Sequence, residues 1–241
     1  MSEKTHPRLH VTADLGGGVV LEGPQAHYVA NVMRRRAGDD LLLFNGRDGE
    51  WRYRVAGVSR KAVEAEAAER TREQAEPGDV ELLFAPLKKA RTDYLAQKAT
   101  ELGASRLSPV MTRRTVAERV KAERLAANAV EAAEQCGLLW VPEIAEPRPL
   151  DRVLAEWPEG RALVFCDESH APESPVERLG LVGRRSVSVL IGPEGGFAPD
   201  EAEAIRRLPG AHAISLGPRI MRADTAAVAA LTLVQAICGD W

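Results

Sequence analysis

One turn of the chain has a composition suited to binding a small molecule through main-chain groups. Residues 191–197 read Ile-Gly-Pro-Glu-Gly-Gly-Phe and follow an apolar run. Their three glycines can adopt positive φ angles and let the backbone approach a ligand closely. Pro199 suits the first turn of the helix that is predicted to follow, and Asp200 and Glu201 favour its positive end.

A second turn, residues 216–225, combines a glycine with two cations. It reads Leu-Gly-Pro-Arg-Ile-Met-Arg-Ala-Asp-Thr and places Arg219 and Arg222 before a long apolar helical pattern. Ligands of open parallel sheets bind beyond the carboxyl ends of the strands, where both turns are predicted to lie. Two ordinary tight turns are the alternative, but two long turns after buried strands favour a ligand site.

Both turns differ from the common nucleotide-binding fingerprints. The 191–197 turn lacks the Lys-Ser/Thr pair of a P-loop and the G-x-G-x-x-G spacing of dinucleotide-binding domains. The glycines at 16–18 are not followed by a suitable phosphate-binding helix. A nucleotide-dependent dehydrogenase therefore lacks its signature, and the apolar surroundings favour a neutral or zwitterionic adenosine-containing ligand over a triphosphate.

The elements that position these turns alternate between strand and helix from Val80 onward. Residues 162–166 and 186–191 are nearly continuous apolar runs, which is typical of strands buried on both faces of a parallel sheet. Further strands are predicted at 81–85, 107–110 and 213–216, and helices at 91–102, 121–136, 200–208 and 223–238. Residues 75–241 are therefore predicted to form an α/β domain with a mostly parallel sheet.

Residues 1–74 are predicted to form a separate, small, β-rich domain. Short strands at 19–21, 41–44 and 51–55 are interrupted by Asn-Gly and Asp-Gly pairs, which supply the positive φ angles of hairpin turns. One helix is predicted in this domain, from Gln25 to Arg36.

Composition narrows the functional classes further. Of 241 residues, 32 are basic and 35 acidic, which excludes a uniformly cationic coat but allows local basic patches. The three cysteines and five histidines are widely spaced and predict neither a disulfide framework nor a metal site. The longest uncharged run near the C-terminus has 15 residues, short of the ~20 that cross a membrane. Because the N-terminus also lacks a signal-like apolar stretch, a cytoplasmic protein is expected.

Several blocks of the sequence, in order, resemble the ribosomal RNA small subunit methyltransferase E family of the SPOUT class. The two turns resemble that family's cofactor loops, and residues 91–103 and 131–137 resemble further blocks of its catalytic domain. Upstream, residues 7–8, 27–34 and 38–39 resemble its PUA-like RNA-binding domain. The resemblance covers nearly the whole chain.

The resemblance implies a specific fold, reaction and assembly. The fold would be a trefoil-knot α/β domain at 75–241 after a PUA-like β-barrel at 1–74. The reaction would be methylation of N3 of one uridine in 16S ribosomal RNA, with S-adenosylmethionine as cofactor. The partners would be 16S ribosomal RNA or the small ribosomal subunit and a second copy of the chain, without a metal or a membrane.

The implied chemistry can be assigned to residues of this chain. A cation beside the uridine oxygens would stabilise the anion formed when N3 loses its proton, and Arg222 is the first candidate, ahead of Arg219. Glu194 and Glu101 are candidates for receiving that proton, with loop hydrogen bonds or helix salt bridges as their alternative roles. The expected cofactor contacts are Phe165, Cys166, Ile191, Gly192, Pro193, Gly195, Gly196, Leu216, Gly217, Ile220 and Met221.

RNA contacts are expected from local basic clusters, because Lys and Arg that bind phosphates release counterions. The residues assigned to RNA are Arg8, Arg34, Arg35, Arg36, Lys88 and Arg91, with Arg52, Arg54, Arg113 and Arg114 as additional candidates. Solvated surface arginines are the alternative.

Three positions depart from the family pattern, and one of them, Cys136, stands where a small polar residue is common, which argues against a catalytic thiol. Ala198 stands where the family usually has a serine, so the next helix loses a side-chain cap worth typically ~1 kcal/mol. Asp224 replaces a glutamate and keeps its charge with one methylene less. The alternatives to the implied function are a SPOUT enzyme acting on another RNA or on ribose 2′-O, and a non-catalytic RNA-binding assembly factor with vestigial glycine loops.

Overall fold

The chain divides into two compact units in a computed structural model, which describes residues 6–116, 120–167, 174–183 and 186–241. Unit one contains the residues up to Glu76 together with Ala133–Val141. Unit two contains Pro77–Ala132 and Pro142–Trp241. The boundary expected after residue 74 thus lies close to the end of the first segment, but it omits residues 133–141 from the smaller unit.

Unit one is built on a five-stranded sheet. Its elements are β1 (Arg8–His10), β2 (Val19–Glu22), α1 (Gly23–His27), β3 (Asp40–Phe44), β4 (Glu50–Val58) and β5 (Ala62–Arg72). The strand order is β1-β3-β4-β5-β2, antiparallel except for the parallel pair β1–β3. Register shifts interrupt the β4–β5 ladder, as bulges do in bent strands. Alternate side chains point inward, and Leu41, Leu43, Tyr53 and Val55 are fully buried.

The prediction of a helix from Gln25 to Arg36 is wrong in both its first and its last residue. The chain forms α1, continues as a π-helical segment at Tyr28–Val32, and leaves helical geometry before Arg34. Arg34 has a φ of +53°, in the left-handed region, and a right-handed helix cannot continue through such a residue. The arginines at 34–36 therefore follow the helix instead of forming its last turn.

The segment 133–141 packs into unit one around the buried side chain of Arg8. The guanidinium of Arg8 donates to the carbonyl oxygen of Ala133 at 2.7 Å and to that of Leu138. It also pairs with the carboxylate of Glu50 at 2.5 Å. Arg8 therefore supplies donors to two main-chain acceptors of this segment.

His10 gives unit one a pH-dependent stability. Burial lowers the pKa of its imidazole below the ordinary value, and the nearby cations Arg47 and Arg8 lower that pKa further. Between the folded pKa and about 6.5, the unfolded chain binds more protons than the folded chain, so stability falls as the pH falls through this window. From about pH 7 to about pH 5, wild type should lose more free energy of unfolding in urea than His10→Gln. Equal losses would contradict a depressed pKa at His10.

Unit two is a parallel sheet with helices on both faces. Its strands are β6 (Val80–Phe84), β7 (Arg106–Met111), β8 (Glu143–Ile144), β9 (Arg148–Pro149), β10 (Ala162–Cys166), β11 (Val187–Ile191) and β12 (Ala211–Ile214). Its helices are α2 (Lys89–Glu101), α3 (Ala122–Cys136, which ends within unit one), α4 (Leu150–Ala155), α5 (Pro175–Gly180), α6 (Pro199–Arg207) and α7 (Ala223–Cys238). The order is β12-β10-β11-β6-β7-β8, with β9 beside β7, and every described pairing is parallel. The α/β prediction is confirmed.

Successive residues of the central strands supply two separate cores. On β10, Val164 packs in the core that includes α2 and α7, whereas Phe165 packs in the core that includes α4 and α6. This alternation is the period-two pattern of a strand with both faces covered. The short elements β8, β9, α4 and α5 were not predicted, because two to six residues are too few to carry a periodic signal.

The described ranges of the chain contain neither a membrane span nor a metal-binding group of side chains. Within those ranges, no helix combines the length and apolarity needed to cross a bilayer. The same residues hold no group of three or more His, Cys, Asp or Glu side chains arranged to bind a metal ion.

Candidate functional site

Three strands of unit two end at one edge of the sheet, because they run parallel. β10 pairs with both β11 and β12, and the two glycine turns follow β11 and β12. Phe165 of β10 lies opposite Leu190 of β11 and Ala213 of β12, so the three strands end level with one another. The two turns noted in the sequence therefore begin on either side of the end of β10, where open parallel sheets bind ligands.

The loop after β11 is shaped by its glycines. Gly196 has a φ of +68° and donates its N–H to the Pro193 carbonyl at 2.8 Å, which closes a tight turn around Glu194. A side-chain carbon added at Gly192 would lie only 3.0 Å from the ring of Phe197. Glycine at 192 thus allows the aromatic ring to lie against the main chain at the end of β11.

Helix α6 begins after this loop without a side-chain cap at Ala198, as predicted. Glu201 supplies part of the missing stabilisation, because its Oε2 accepts the Ala198 N–H at 2.9 Å. Its Oε1 accepts the Arg113 N–H at 2.8 Å, and the Arg113 guanidinium donates to Asp200 at 3.0 Å. Arg113 is therefore engaged with the start of α6.

Two arginines from neighbouring elements hold consecutive residues of the same loop. Arg114, shortly after β7, donates from Nη1 to the Gly195 carbonyl oxygen at 2.7 Å. Arg91, in the first turn of α2, donates to the Glu194 carboxylate, and its Nε lies 3.9 Å from Oδ2 of Asp224. The expectation that Arg91 and Arg114 contact RNA does not fit this arrangement, because both guanidiniums already bind atoms at the edge of the sheet.

The loop after β12 carries the second glycine and the two cations. Gly217 has a φ of +101° and donates its N–H to Oγ of Ser215 at 3.2 Å. Arg222 is exposed and has an extended backbone directly before α7. Ile220 is 88% exposed, whereas Met221 is half-buried. Unlike Arg91, Arg222 presents its guanidinium to the solvent at this edge.

The end of β10 offers the site main-chain groups and the Cys166 side chain. Phe165 is 1% exposed and packs in the core that includes α4 and α6, against which Phe197 of the loop after β11 also packs. Cys166 is half-buried at the edge itself. Phe165 and Cys166 remain predicted cofactor contacts at the end of β10.

Glu101 lies at the wrong end of α2 to act beside the loops. It is the last residue of the helix, and about 15 Å of helix axis separate it from Arg91 in the first turn. Its carboxylate pairs with Lys98 at 2.7 Å. The structure does not support Glu101 as the proton acceptor and leaves Glu194 as the candidate.

The expected RNA contacts separate into exposed and enclosed side chains. Arg34 and Arg36 are exposed on unit one, and Arg35 between them is half-buried. Lys88 is exposed just before α2 and lines a small cleft that also includes Glu194. Arg8 is only 10% exposed, and its partners within unit one occupy its guanidinium. The assignment of Arg8 to RNA is therefore corrected to a structural role.

Arg114 and Asp224 are residues whose contacts the sequence did not reveal. An adjacent pair of arginines does not by itself distinguish a surface cation from one that holds a loop. The position of Arg114 in the chain could have indicated a role at the site. It follows β7 by three residues and so lies at the same carboxyl edge of the sheet as the glycine loops. In the sequence, Asp224 is notable only because it replaces the glutamate of the family pattern. Its proximity to Arg91 is seen only in the fold.

Both units match known protein families. Residues 74–235 match a family described as an RNA methyltransferase domain, and residues 21–67 match a family described as an RNA methyltransferase PUA domain. The ribosomal RNA small subunit methyltransferase E of Synechocystis sp. is 31% identical to this chain, over 91% of this chain and 73% of the relative.

Two solved structures are similar over almost the full length of this chain. A Legionella pneumophila protein in complex with the bound cofactor SAM has a TM-score of 0.89 and 29% identity, covering 98% of this chain and 100% of that chain. A ribosomal RNA small subunit methyltransferase E from Neisseria gonorrhoeae, bound to S-adenosyl methionine, has a TM-score of 0.87 and 25% identity with the same coverage. The likeness therefore includes both units and both glycine loops.

Proposed function

This chain belongs to the ribosomal RNA small subunit methyltransferase E family, and we propose that it methylates N3 of a uridine in 16S ribosomal RNA with S-adenosylmethionine as cofactor. The observation that carries the proposal is the meeting of two glycine loops at one sheet edge, in a chain similar to that family along most of its length. The PUA match in unit one supports an RNA substrate. An activity on ribosomal RNA also supports the expected cytoplasmic location.

The residues at the sheet edge fit an adenosyl cofactor. The loops offer the main chains of Gly192, Gly196 and Gly217, and a side chain at Gly192 would crowd the ring of Phe197. Such a lining of main-chain and apolar groups suits an adenosine-containing ligand, which main-chain N–H and carbonyl groups can orient. We assign cofactor binding to Phe165, Cys166, Ile191, Gly192, Pro193, Gly195, Gly196, Leu216, Gly217, Ile220 and Met221. When bound, S-adenosylmethionine supplies a methyl group on a positively charged sulfur.

Two side chains of the edge are proposed to act on the uridine. Methylation at N3 requires a base that is withdrawn from pairing, and it requires the N3 proton to leave as the methyl group arrives. Glu194 is assigned to accept that proton, and the Arg91 guanidinium lies against its carboxylate. Arg222 is assigned to donate hydrogen bonds to O2 or O4 of the uridine, where negative charge grows as N3 loses its proton. One methyl group is thus gained at N3 and one proton is lost from it.

Two measurements test this function. Calorimetry with S-adenosylmethionine separates a methyltransferase from a non-catalytic assembly factor, for which we expect no binding. Mass mapping of ribosomal RNA from cells with and without the protein then identifies the modified base. Loss of one N3-methyluridine from 16S ribosomal RNA is the expected result. Loss of a ribose 2′-O-methyl group, or a change in another RNA only, would contradict the proposed target.

We also propose the homodimer and the trefoil knot of this family for the present chain. Ala229, Thr232 and Leu233 of α7 line a cleft together with Leu216 and Gly217, so an apolar surface adjoins the second loop. A second copy covering this surface would bring the subunit interface next to the cofactor. Sedimentation at micromolar concentration should give a dimer, and a fully active monomer would contradict this assignment.

RNA binding by unit one is expected to depend on Arg34 and Arg36. Replacing both with glutamine should weaken RNA binding and reduce the slope of log affinity against log salt by about 0.7 to 0.9 per lost phosphate contact. Arg47→Gln is the control, because Arg47 of the same unit is paired with Asp14 at 2.8 Å and should leave the slope unchanged. Fluorescence anisotropy across a salt series makes the measurement, and an unchanged slope in the double variant would exclude these arginines from phosphate contact.

A further inference from the structure

A single guanidinium joins three segments at the carboxyl edge of unit two. Arg91 belongs to the first turn of α2, Glu194 to the loop after β11, and Asp224 to the first turn of α7, directly after the loop from β12. Arg91 and Asp224 are largely enclosed, with side chains 28% and 16% exposed. The Arg91 guanidinium therefore donates to Glu194 of the loop after β11 and lies 3.9 Å from Asp224, directly after the loop from β12.

We propose that Arg91 is a positioning residue, which fixes the two cofactor loops relative to each other and to α2. This inference rests on the proposed function, because it supposes that both loops bind S-adenosylmethionine. A guanidinium presents its N–H groups in a rigid plane and can face two carboxylates at once, whereas the ammonium of lysine acts as a single charged point. Arginine is therefore the side chain suited to this place.

The contact of Arg114 with the Gly195 carbonyl gives the same loop a second attachment. Glu194 and Gly195 are consecutive, and they are held by arginines from two different elements, α2 and the segment after β7. The tip of the loop after β11 is thus attached on both sides. Displacement by about 1 Å of groups that orient a substrate can cost on the order of a hundredfold in rate. Attachment of this kind therefore bears directly on turnover.

The surroundings of Arg91 argue against a contact with an RNA phosphate. The guanidinium faces two carboxylates, so a phosphate would have to displace these or lie close to them. Lys88 and Lys89, which precede it, are exposed and better placed to meet a polyanion. Lys89→Gln is therefore the matched control, since it removes one charge from the same helical turn without touching either loop.

The decisive experiment compares Arg91→Gln, Arg91→Lys and Lys89→Gln in two assays. Calorimetry should show S-adenosylmethionine binding weakened about tenfold or more in Arg91→Gln and unchanged in Lys89→Gln. Arg91→Lys should stay defective, because lysine cannot face both carboxylates in one plane. In the RNA salt series, Arg91→Gln should keep the wild-type slope. A reduced slope with unchanged cofactor affinity, or full rescue by lysine, would overturn the positioning role.

Hydrogen exchange separates this inference from the proposed function. Amides of residues 191–197 and 216–222 should exchange faster in Arg91→Gln than in Lys89→Gln, whether or not a cofactor is added. Asp224→Asn removes the negative charge that faces Arg91 from the start of α7, and it should raise amide exchange in the loop after β12. This substitution serves as a second variant if Arg91→Gln folds poorly. If wild type binds no S-adenosylmethionine, the proposed function fails while the exchange comparison still decides the role of Arg91. Equal exchange in all variants would overturn that role.

Discussion

Arg222→Ala is expected to lower the rate of methyl transfer by about 100- to 1000-fold, the usual cost of removing a preorganised donor from a developing anion. Affinity for S-adenosylmethionine should change little, because the loop after β12 is assigned to bind the cofactor through main-chain groups. Arg222 is exposed and precedes α7, so its removal leaves both cores of unit two intact. Single-turnover methylation of ribosomal RNA, with calorimetry on the same variant, measures both quantities.

Arg219→Ala provides the matched control in the same loop. Arg219 is exposed, carries the same charge and lies three residues before Arg222. If the effect came from the general positive potential of the loop, the two variants would be equally impaired. We expect Arg219→Ala to keep most of its activity, and wild-type turnover in Arg222→Ala would remove Arg222 from the mechanism.

Arg8→Ala is expected to destabilise unit one by at most about 3 to 5 kcal/mol, the cost of removing one partner of a buried ion pair, because Arg72 still lies 3.9 Å from the Glu50 carboxylate. Glu50 is only 6% exposed, and Arg8 stacks on the ring of Phe44, 3.8 Å from its centroid. Burial lowers the pKa of the Arg8 guanidinium below its ordinary value, although Glu50 opposes that shift. Urea unfolding, with hydrogen exchange at the amides of β1 and β3, measures the loss.

Arg47→Ala is the control for this prediction. Its ion pair with Asp14 is exposed on both sides, at 54% and 94%, and such pairs contribute about 0 to 1 kcal/mol. A loss in Arg8→Ala no larger than that in Arg47→Ala would mean that the enclosed guanidinium contributes little to stability. RNA affinity should follow the folded fraction of Arg8→Ala, because Arg8 is not available to bind phosphate.

The elements whose bounds were predicted correctly from the sequence are those in which nearly every side chain is apolar. The bounds of β10, 162–166, and of α7, 223–238, agree with the prediction. A strand covered on both faces is apolar at every position, and a nearly all-apolar helix ends where charge and glycine return. The predicted helix in unit one failed at Arg34 because nothing in three consecutive arginines indicates a left-handed residue.

The candidate site was predictable in its loops but not in the contacts between them. Glycine content and position after buried strands identified both turns. The pair Arg91–Glu194, in contrast, joins residues 103 positions apart, and the arginine itself carries no mark of its partner. Arg8 is similar, since its carbonyl acceptors lie 125 and 130 positions away. In both cases the sequence alone predicts a surface cation, and only the fold shows which acceptors lie beside the guanidinium.

Residues 133–141 also affect how the protein is made and divided. The chain passes between the two units at three points, after Glu76, Ala132 and Val141. A fragment ending at Glu76 contains every strand of the small sheet but lacks the carbonyls that Arg8 and Arg72 bind. During translation, unit one therefore cannot finish folding until more than half of the polypeptide has left the ribosome. No single proteolytic cut separates unit one from all of unit two.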